Sequence, residues 1–127
     1  MLIDDNGDDN FYHERVIRKN EVADTVILKQ TGLDALEYLK SNKNIKENHP
    51  NLILLDINMP GMNGWEFIEE YIKIDKQLQS HAVVVMLSTS DNPDDKIKAK
   101  FSKGVSDFKT KPLTREKLED IITKFFS

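Results

Sequence analysis

The sequence lacks several features that mark particular classes of protein. It has no cysteine, which excludes disulfides and thiolate metal ligands and permits a reducing compartment. No apolar run approaches the roughly 20 residues of a transmembrane helix, and the first residues lack the layout of a signal peptide. The formal net charge is −4 and the basic residues are scattered, which argues against a nucleic-acid-binding face. These absences favour one cytoplasmic domain over residues 1–127, with no membrane or direct nucleic-acid contact.

Strand-like and helix-like segments alternate along the chain. Apolar runs predict strands at Leu2–Ile3, Val26–Leu28, Leu52–Leu55, Val83–Leu87 and Val105–Thr110. Helical spacing predicts helices at 9–19, 33–41, 65–74, 93–103 and from 114 onward. The third and fourth runs are almost continuously apolar, which is typical of strands buried on both faces of a parallel sheet. Because parallel strands need right-handed crossovers, we expect a doubly wound α/β domain with helices on both faces.

Reactive side chains follow the predicted strand ends: Asp4 and Asp5, Asp56, Ser88 and Thr89, and Lys111. Doubly wound sheets place their sites beyond the carboxyl ends of the strands, and a strand order of 2-1-3-4-5 would bring these residues together. Two carboxylates ~4 Å apart repel by roughly 4 kcal/mol at an effective dielectric of about 20, so such a cluster needs a cation. Hard carboxylate oxygens favour Mg²⁺, with Mn²⁺ as the alternative, and a phosphoryl group could complete its ligands.

Four stretches carry a resemblance to a known family: Leu2–Asn6, Leu54–Gly64, Met86–Thr89 and Lys111–Leu113. The second is the most specific, because Met-Pro-Gly follows Asp56 and Gly64 lies eight residues beyond it. On these residues the chain resembles the receiver domain of bacterial response regulators over essentially its whole length. The resemblance implies a stand-alone, chemotaxis-receiver-like domain with a flavodoxin-like, five-stranded parallel sheet in the order 2-1-3-4-5.

The resemblance also implies a phosphoacceptor and a metal site. Asp56 would become an acyl phosphate. Asp5, Asp56 and the backbone carbonyl of Asn58 would bind Mg²⁺, while Asp4 would orient a metal-bound water. Positioning and charge neutralisation would then provide most of the catalysis of phosphoryl transfer.

The remaining implied roles concern a hydroxyl, a lysine and an aromatic residue. Ser88 would contact the phosphoryl oxygens, and Lys111, joined to Pro112 by a cis bond, would pair with them. The stretch from Ser88 to Lys111 is one residue longer than the usual receiver pattern, so Thr89 stays the alternative hydroxyl. Ser88 is preferred because the predicted fourth strand ends just before it. Phe108 is either a switch residue that moves with the hydroxyl or an ordinary core aromatic, and both interpretations stay open.

The implied function is reception of a phosphoryl group from a sensor histidine kinase or a histidine phosphotransfer protein. The receiver would then change conformation and control a downstream protein through residues 93–126. Such a domain is not an enzyme beyond its own phosphorylation and dephosphorylation.

Two alternatives are a haloacid-dehalogenase-type phosphatase and a pseudo-receiver that only binds. The phosphatase would need an Asp-x-Asp pair on the first strand, whereas the residue two beyond Asp56 is Asn58. The full set of acidic, hydroxyl and lysine residues disfavours the pseudo-receiver. His13, His49 and His81 lack metal-ligand spacing, and we expect them at the surface.

Overall fold

The computed structural model describes residues 1–74, 82–89 and 92–126, which form a five-stranded sheet flanked by helices. The strands are β1 (Leu2–Ile3), β2 (Leu28–Lys29), β3 (Leu52–Asp56), β4 (Val83–Ser88) and β5 (Asp107–Thr110). The described α-helices are α1 (Gly7–Lys19), α2 (Gly32–Ser41), α3 (Gly64–Tyr71), α4 (Pro93–Phe101) and α5 (Arg115–Phe126), with a 3₁₀ turn at Lys46–Asn48. All strands pair in parallel in the order β2-β1-β3-β4-β5, which confirms the predicted topology.

The central strands are buried on both faces, as their apolar sequences predicted. Alternate residues of β3 enter two different core clusters, with Ile53 and Leu55 in one and Leu54 in the other. The first cluster includes residues of α2 and α3, and the second includes residues of α1 and α5. Because successive side chains of a strand point to opposite faces, these helices must cover the sheet from both sides.

Polar side chains define where the helices begin. The caps of the first four described helices are Asn6, Thr31, Asn63 and Asn92, and each accepts a hydrogen bond from a backbone N–H of the first turn. In α5 the hydroxyl of Thr114 accepts from the backbone N–H of Lys117. The predicted start of α4 at Pro93 is confirmed, whereas α1 begins at Gly7, two residues earlier than expected.

The second strand differs from its prediction. The apolar run Val26–Leu28 suggested that strand, but β2 is Leu28–Lys29. The reason is pairing: β1 has two residues, and Leu2 and Ile3 match Leu28 and Lys29. Within the described ranges, no helix combines the length and the apolar character needed to cross a membrane.

Tight packing brings α3 against the end of β3. A Cβ atom added to Gly64 would lie 2.8 Å from the carbonyl oxygen of Asp56 and 2.9 Å from the Cα of Ile57. The glycine eight residues after Asp56 therefore has a steric role, because it lets the loop fold back beside the strand end.

Candidate functional site

Three carboxylates meet beyond the carboxyl ends of β1 and β3. Asp4, Asp5 and Asp56 each offer an oxygen, and these oxygens lie within 4.8 Å of one another. The side chains of Asp4 and Asp56 are only 4% and 5% exposed, whereas Asp5 is exposed. Because these donors are all hard oxygens and they repel one another, the residues present fit a divalent cation such as Mg²⁺. The predicted convergence of the three acids is confirmed as geometry.

Lys111 enters the same cluster from the end of β5. Its Nζ lies 2.6 Å from Oδ2 of Asp4 and 3.3 Å from Oδ1 of Asp56. Burial alone would lower the pKa of Lys111, but hydrogen bonds to Asp4 and Asp9 and the negative charges of Asp4 and Asp56 together raise it above its ordinary value. The single charge of Lys111 does not balance the three clustered carboxylates, so this group of residues keeps an excess of negative charge that favours a bound cation. The bond between Lys111 and Pro112 is cis, as the resemblance implied.

The carboxyl group of Asp56 is strongly affected by its surroundings. Burial and then the negative charge of Asp4 raise the pKa of Asp56 to about 6, against the lowering effects of Lys111 and of the backbone N–H of Asn58. The ionised carboxylate is therefore costly in the metal-free protein. A cation beside it would favour the ionised form, which is the nucleophilic one.

The structure adds a fourth carboxylate that the sequence did not reveal as part of the site. Lys111 Nζ also donates to Oδ2 of Asp9, at 3.0 Å, and the Asp9 side chain is 37% exposed. Asp9 lies in the first turn of α1, where an acidic residue has an ordinary explanation as a partner of the helix dipole. Nothing in its local sequence distinguishes it from Asp8, which precedes it.

Two further polar residues of α1 are buried behind the site. The prediction that His13 lies at the surface is wrong, since it is 2% exposed. Burial lowers the pKa of His13, and the positive charge of Lys111 lowers it further. Asn10 is also buried, and its Nδ2 donates to the backbone oxygens of Asp4 and Lys29 at 3.0 and 3.3 Å. Because Asn10, His13 and the buried Ile17 recur at helix-face spacing, that spacing was the available signal.

The hydroxyl candidates differ in position. Ser88 is the last residue of β4 and is fully buried, whereas Thr89 is exposed beyond the strand. The carbonyl of Ser88 accepts a 2.7 Å hydrogen bond from the backbone N–H of Lys111, which ties the ends of β4 and β5 together. This placement supports the preference for Ser88.

Phe108 lies in β5 opposite Met86 and is half-buried. It packs against the core and lines a cavity of about 350 Å³ beside α4, together with Ala99 and Lys96. Both interpretations of Phe108 therefore stay open. His49 contacts the backbone oxygens of Asn42 and Lys43, and His81 lies outside the described residues.

Comparison with known proteins finds response regulators by sequence and by structure. The sequence model of the response regulator receiver domain matches residues 1–123. The chain is 34% identical over 118 residues to Protein PilG of Pseudomonas aeruginosa, covering 93% of this chain and 79% of that protein. It is 35% identical over 98 residues to Response regulator Rcp1 of a Synechocystis species, covering 76% of this chain and 65% of that protein. A two-component response regulator structure from Cytophaga hutchinsonii superposes with a TM-score of 0.91 at 32% identity, covering 98% of this chain and 92% of the other.

Several of these relatives are longer than this chain. It spans 57% of the two-component response regulator ARR7 and 63% of ARR6, both from Arabidopsis thaliana. The activities and partners of the whole relatives therefore do not transfer directly to this chain.

Proposed function

Because the chain belongs to the response regulator receiver family, we propose that it accepts a phosphoryl group on Asp56, in a reaction that needs a divalent cation. One observation carries the proposal: Asp56 ends β3 inside a cluster with Asp4 and Asp5, with the ammonium of Lys111 3.3 Å from its carboxylate. Receivers are signalling modules and not turnover enzymes. The proposed chemistry is confined to the domain's own phosphorylation and dephosphorylation.

The reaction begins with a carboxylate oxygen of Asp56 as the nucleophile. This oxygen attacks the phosphorus of the donor, a P–O bond forms, and the bond from phosphorus to the leaving group breaks with its electron pair. The product is an acyl phosphate, and a water molecule later hydrolyses it to inorganic phosphate and free Asp56.

The acidic cluster would hold the cation. Asp5, Asp56 and the carbonyl oxygen of Asn58 are the proposed direct ligands of Mg²⁺ or Mn²⁺, and Asp4 would orient a bound water. When bound, the cation neutralises negative charge on the carboxylates and on the phosphoryl oxygens. The exclusion of solvent from Asp4 and Asp56, each 5% exposed or less, strengthens the electrostatic interactions there.

Lys111 and Ser88 would stabilise the transferred group. Lys111 keeps its positive charge and lies beside Asp56, so it can pair with a phosphoryl oxygen after transfer. Ser88 stands at the neighbouring strand end and would donate its hydroxyl to another phosphoryl oxygen. Movement of Phe108 together with the hydroxyl of Ser88 stays a prediction.

Membership of the family implies that the donor is a histidine kinase or a histidine phosphotransfer protein. For the downstream protein we propose the surface formed by residues 93–126. On α4 the apolar side chains of Ile97 and Phe101 are 57% and 79% exposed, four residues apart on one helix. An exposed apolar pair beside Lys96 and Lys100 suits a partner with apolar anchors and acidic residues. A cytoplasmic location stays a prediction.

The haloacid-dehalogenase alternative is not favoured, because the family model that matches the chain is that of the receiver domain and the similar proteins reported above include response regulators. The pseudo-receiver alternative is disfavoured by the converging acids and lysine. Direct measurement of phosphorylation would distinguish a pseudo-receiver from a receiver that accepts phosphate.

The decisive experiment is incubation with phosphoramidate or acetyl phosphate in the presence of Mg²⁺, followed by intact mass spectrometry. We expect one added phosphoryl group on the wild-type chain and none on Asp56→Asn. Chelation of the metal with EDTA should abolish the modification. Asp8→Asn, which removes an exposed carboxylate nearby, is the matched control and should be modified like the wild type. An unmodified wild-type chain, or equal modification of Asp56→Asn, would refute the assignment.

A further inference from the structure

Lys111 contacts three carboxylates, of which two belong to the proposed cation site and one does not. Asp4 and Asp56 belong to the acidic cluster and lie 2.6 and 3.3 Å from Nζ. Asp9 lies 3.0 Å from the same atom, and it is not part of the cluster of Asp4, Asp5 and Asp56. The ammonium therefore lies between the proposed cation site and one carboxylate outside that site.

This position creates a conflict when a cation arrives. The ammonium of Lys111 occupies oxygens of Asp4 and Asp56, and both carboxylates belong to the cluster that would hold the metal. A cation held by Asp5 and Asp56 repels the ammonium, and a metal-bound water oriented by Asp4 needs an oxygen of that carboxylate. The ammonium therefore has to leave Asp56 and give up part of its contact with Asp4. Its side chain is only 10% exposed, and a buried ammonium without a counter-charge is strongly unfavourable.

Asp9 is placed to resolve the conflict. It already accepts a hydrogen bond from Nζ, so a small shift away from the cluster leaves the ammonium paired. Its backbone is held at the start of α1, because the side chain of Asn6 accepts a 3.2 Å hydrogen bond from the N–H of Asp9. Its partial exposure also permits the side chain to adjust at low cost.

We propose that Asp9 is a positioning residue that receives the ammonium of Lys111 when a divalent cation binds to the acidic cluster. The inference rests on the proposed function only in assigning a cation to Asp4, Asp5 and Asp56. Asp9 thereby supports metal affinity without being a ligand itself.

The test is Mg²⁺ binding measured by isothermal titration calorimetry at neutral pH and low ionic strength, which needs no phosphorylation. Asp9→Asn removes the charge that pairs with Lys111 and keeps the size of the side chain. We expect its Kd for Mg²⁺ to rise roughly three- to tenfold. This is less than the effect of losing a whole charge-assisted hydrogen bond, because Asp9 already accepts that bond in the metal-free protein and is partly exposed. Asp8→Asn removes an equal charge from the preceding residue and should change Kd by less than about twofold.

A double-mutant cycle separates positioning from simple charge attraction. In the Lys111→Met protein no ammonium needs a partner, so adding Asp9→Asn should change Kd no more than Asp8→Asn does. If Asp9→Asn weakens binding equally with and without the lysine, Asp9 acts as a ligand or a distant charge, and the proposal is wrong. Lys111→Gln serves as the second background, with folding of every variant checked by circular dichroism.

The failures of the two proposals are distinguishable. If the wild-type chain shows no Mg²⁺ binding, the metal-dependent function fails and the role of Asp9 fails with it. If the wild type binds Mg²⁺ and Asp9→Asn behaves like Asp8→Asn, only the role of Asp9 is refuted.

Discussion

Replacement of the proposed phosphoacceptor should stabilise the metal-free protein at neutral pH. The Asp56 side chain is 5% exposed and lies in one cluster with the carboxylates of Asp4 and Asp5. Burial and the charge of Asp4 raise the pKa of Asp56 to about 6, so its ionised form is destabilising above that pH. Asp56→Asn removes the charge, and Lys111 keeps Asp4 and Asp9 as partners.

The magnitude and sign follow from proton linkage. Because the pKa of Asp56 is higher in the folded protein than in the unfolded chain, where it is near 3.9, protonation of Asp56 favours folding. That contribution is fully present below about pH 4 and is lost as the pH rises through about 6. A shift of about 2 pKa units corresponds to roughly 3 kcal/mol, taken as an upper limit. The free energy of unfolding of Asp56→Asn, relative to that of the wild type, should therefore be about 2–3 kcal/mol larger above pH 7 than below pH 4.

The assay is urea unfolding of both proteins in EDTA across this pH range, with Asp8→Asn as a control that should show no such trend. Adding Mg²⁺ at ten times its Kd should stabilise the wild type by roughly 1.4 kcal/mol and Asp56→Asn by much less. A stability difference that does not depend on pH would refute the reasoning. A variant less stable than the wild type at neutral pH in EDTA would refute it as well.

Three other substitutions test the scaffold of the site. Gly64→Ala places a Cβ 2.8 Å from the carbonyl oxygen of Asp56 and should destabilise the fold by about 1–3 kcal/mol, measured by urea unfolding. Lys117→Met removes hydrogen bonds to the backbone on both sides of Lys111; we expect about 1–2 kcal/mol less stability and slower phosphorylation than in the wild type, measured by intact mass. Asn63→Ala removes the N-cap of α3 and should lower the thermal midpoint by the equivalent of about 1 kcal/mol, whereas Asn63→Asp should not.

Much of the fold could be predicted from local patterns. The apolar runs located β3 and β4 because strands buried on both faces have few polar residues. Helical spacing located the helices, and α4 begins at Pro93 as predicted because the side chain of Asn92 caps its first turn. The edge strand was less predictable, since the bounds of β2 depend on how much of β1 is available for pairing.

The carboxylate cluster was predictable because parallel strands end at one edge of the sheet. Asp4, Asp56 and Lys111 all follow or end strands, so the topology alone brings them together. The preference for Ser88 over Thr89 gains support from the strand register: Ser88 pairs with Thr110 inside the sheet and is buried, while Thr89 lies outside it.

Sequence alone therefore indicated the family, the sheet order and the principal acids, because these depend on periodicity and on a specific motif. Tertiary structure decided that Asp9 contacts Lys111, 102 positions away, and that His13 is buried. Both outcomes depend on the rotation of α1 about its axis, which is set by packing against the sheet. That packing involves many distant residues at once, so the spacing of Asn10, His13 and Ile17 marks one face of the helix without showing that the sheet covers it.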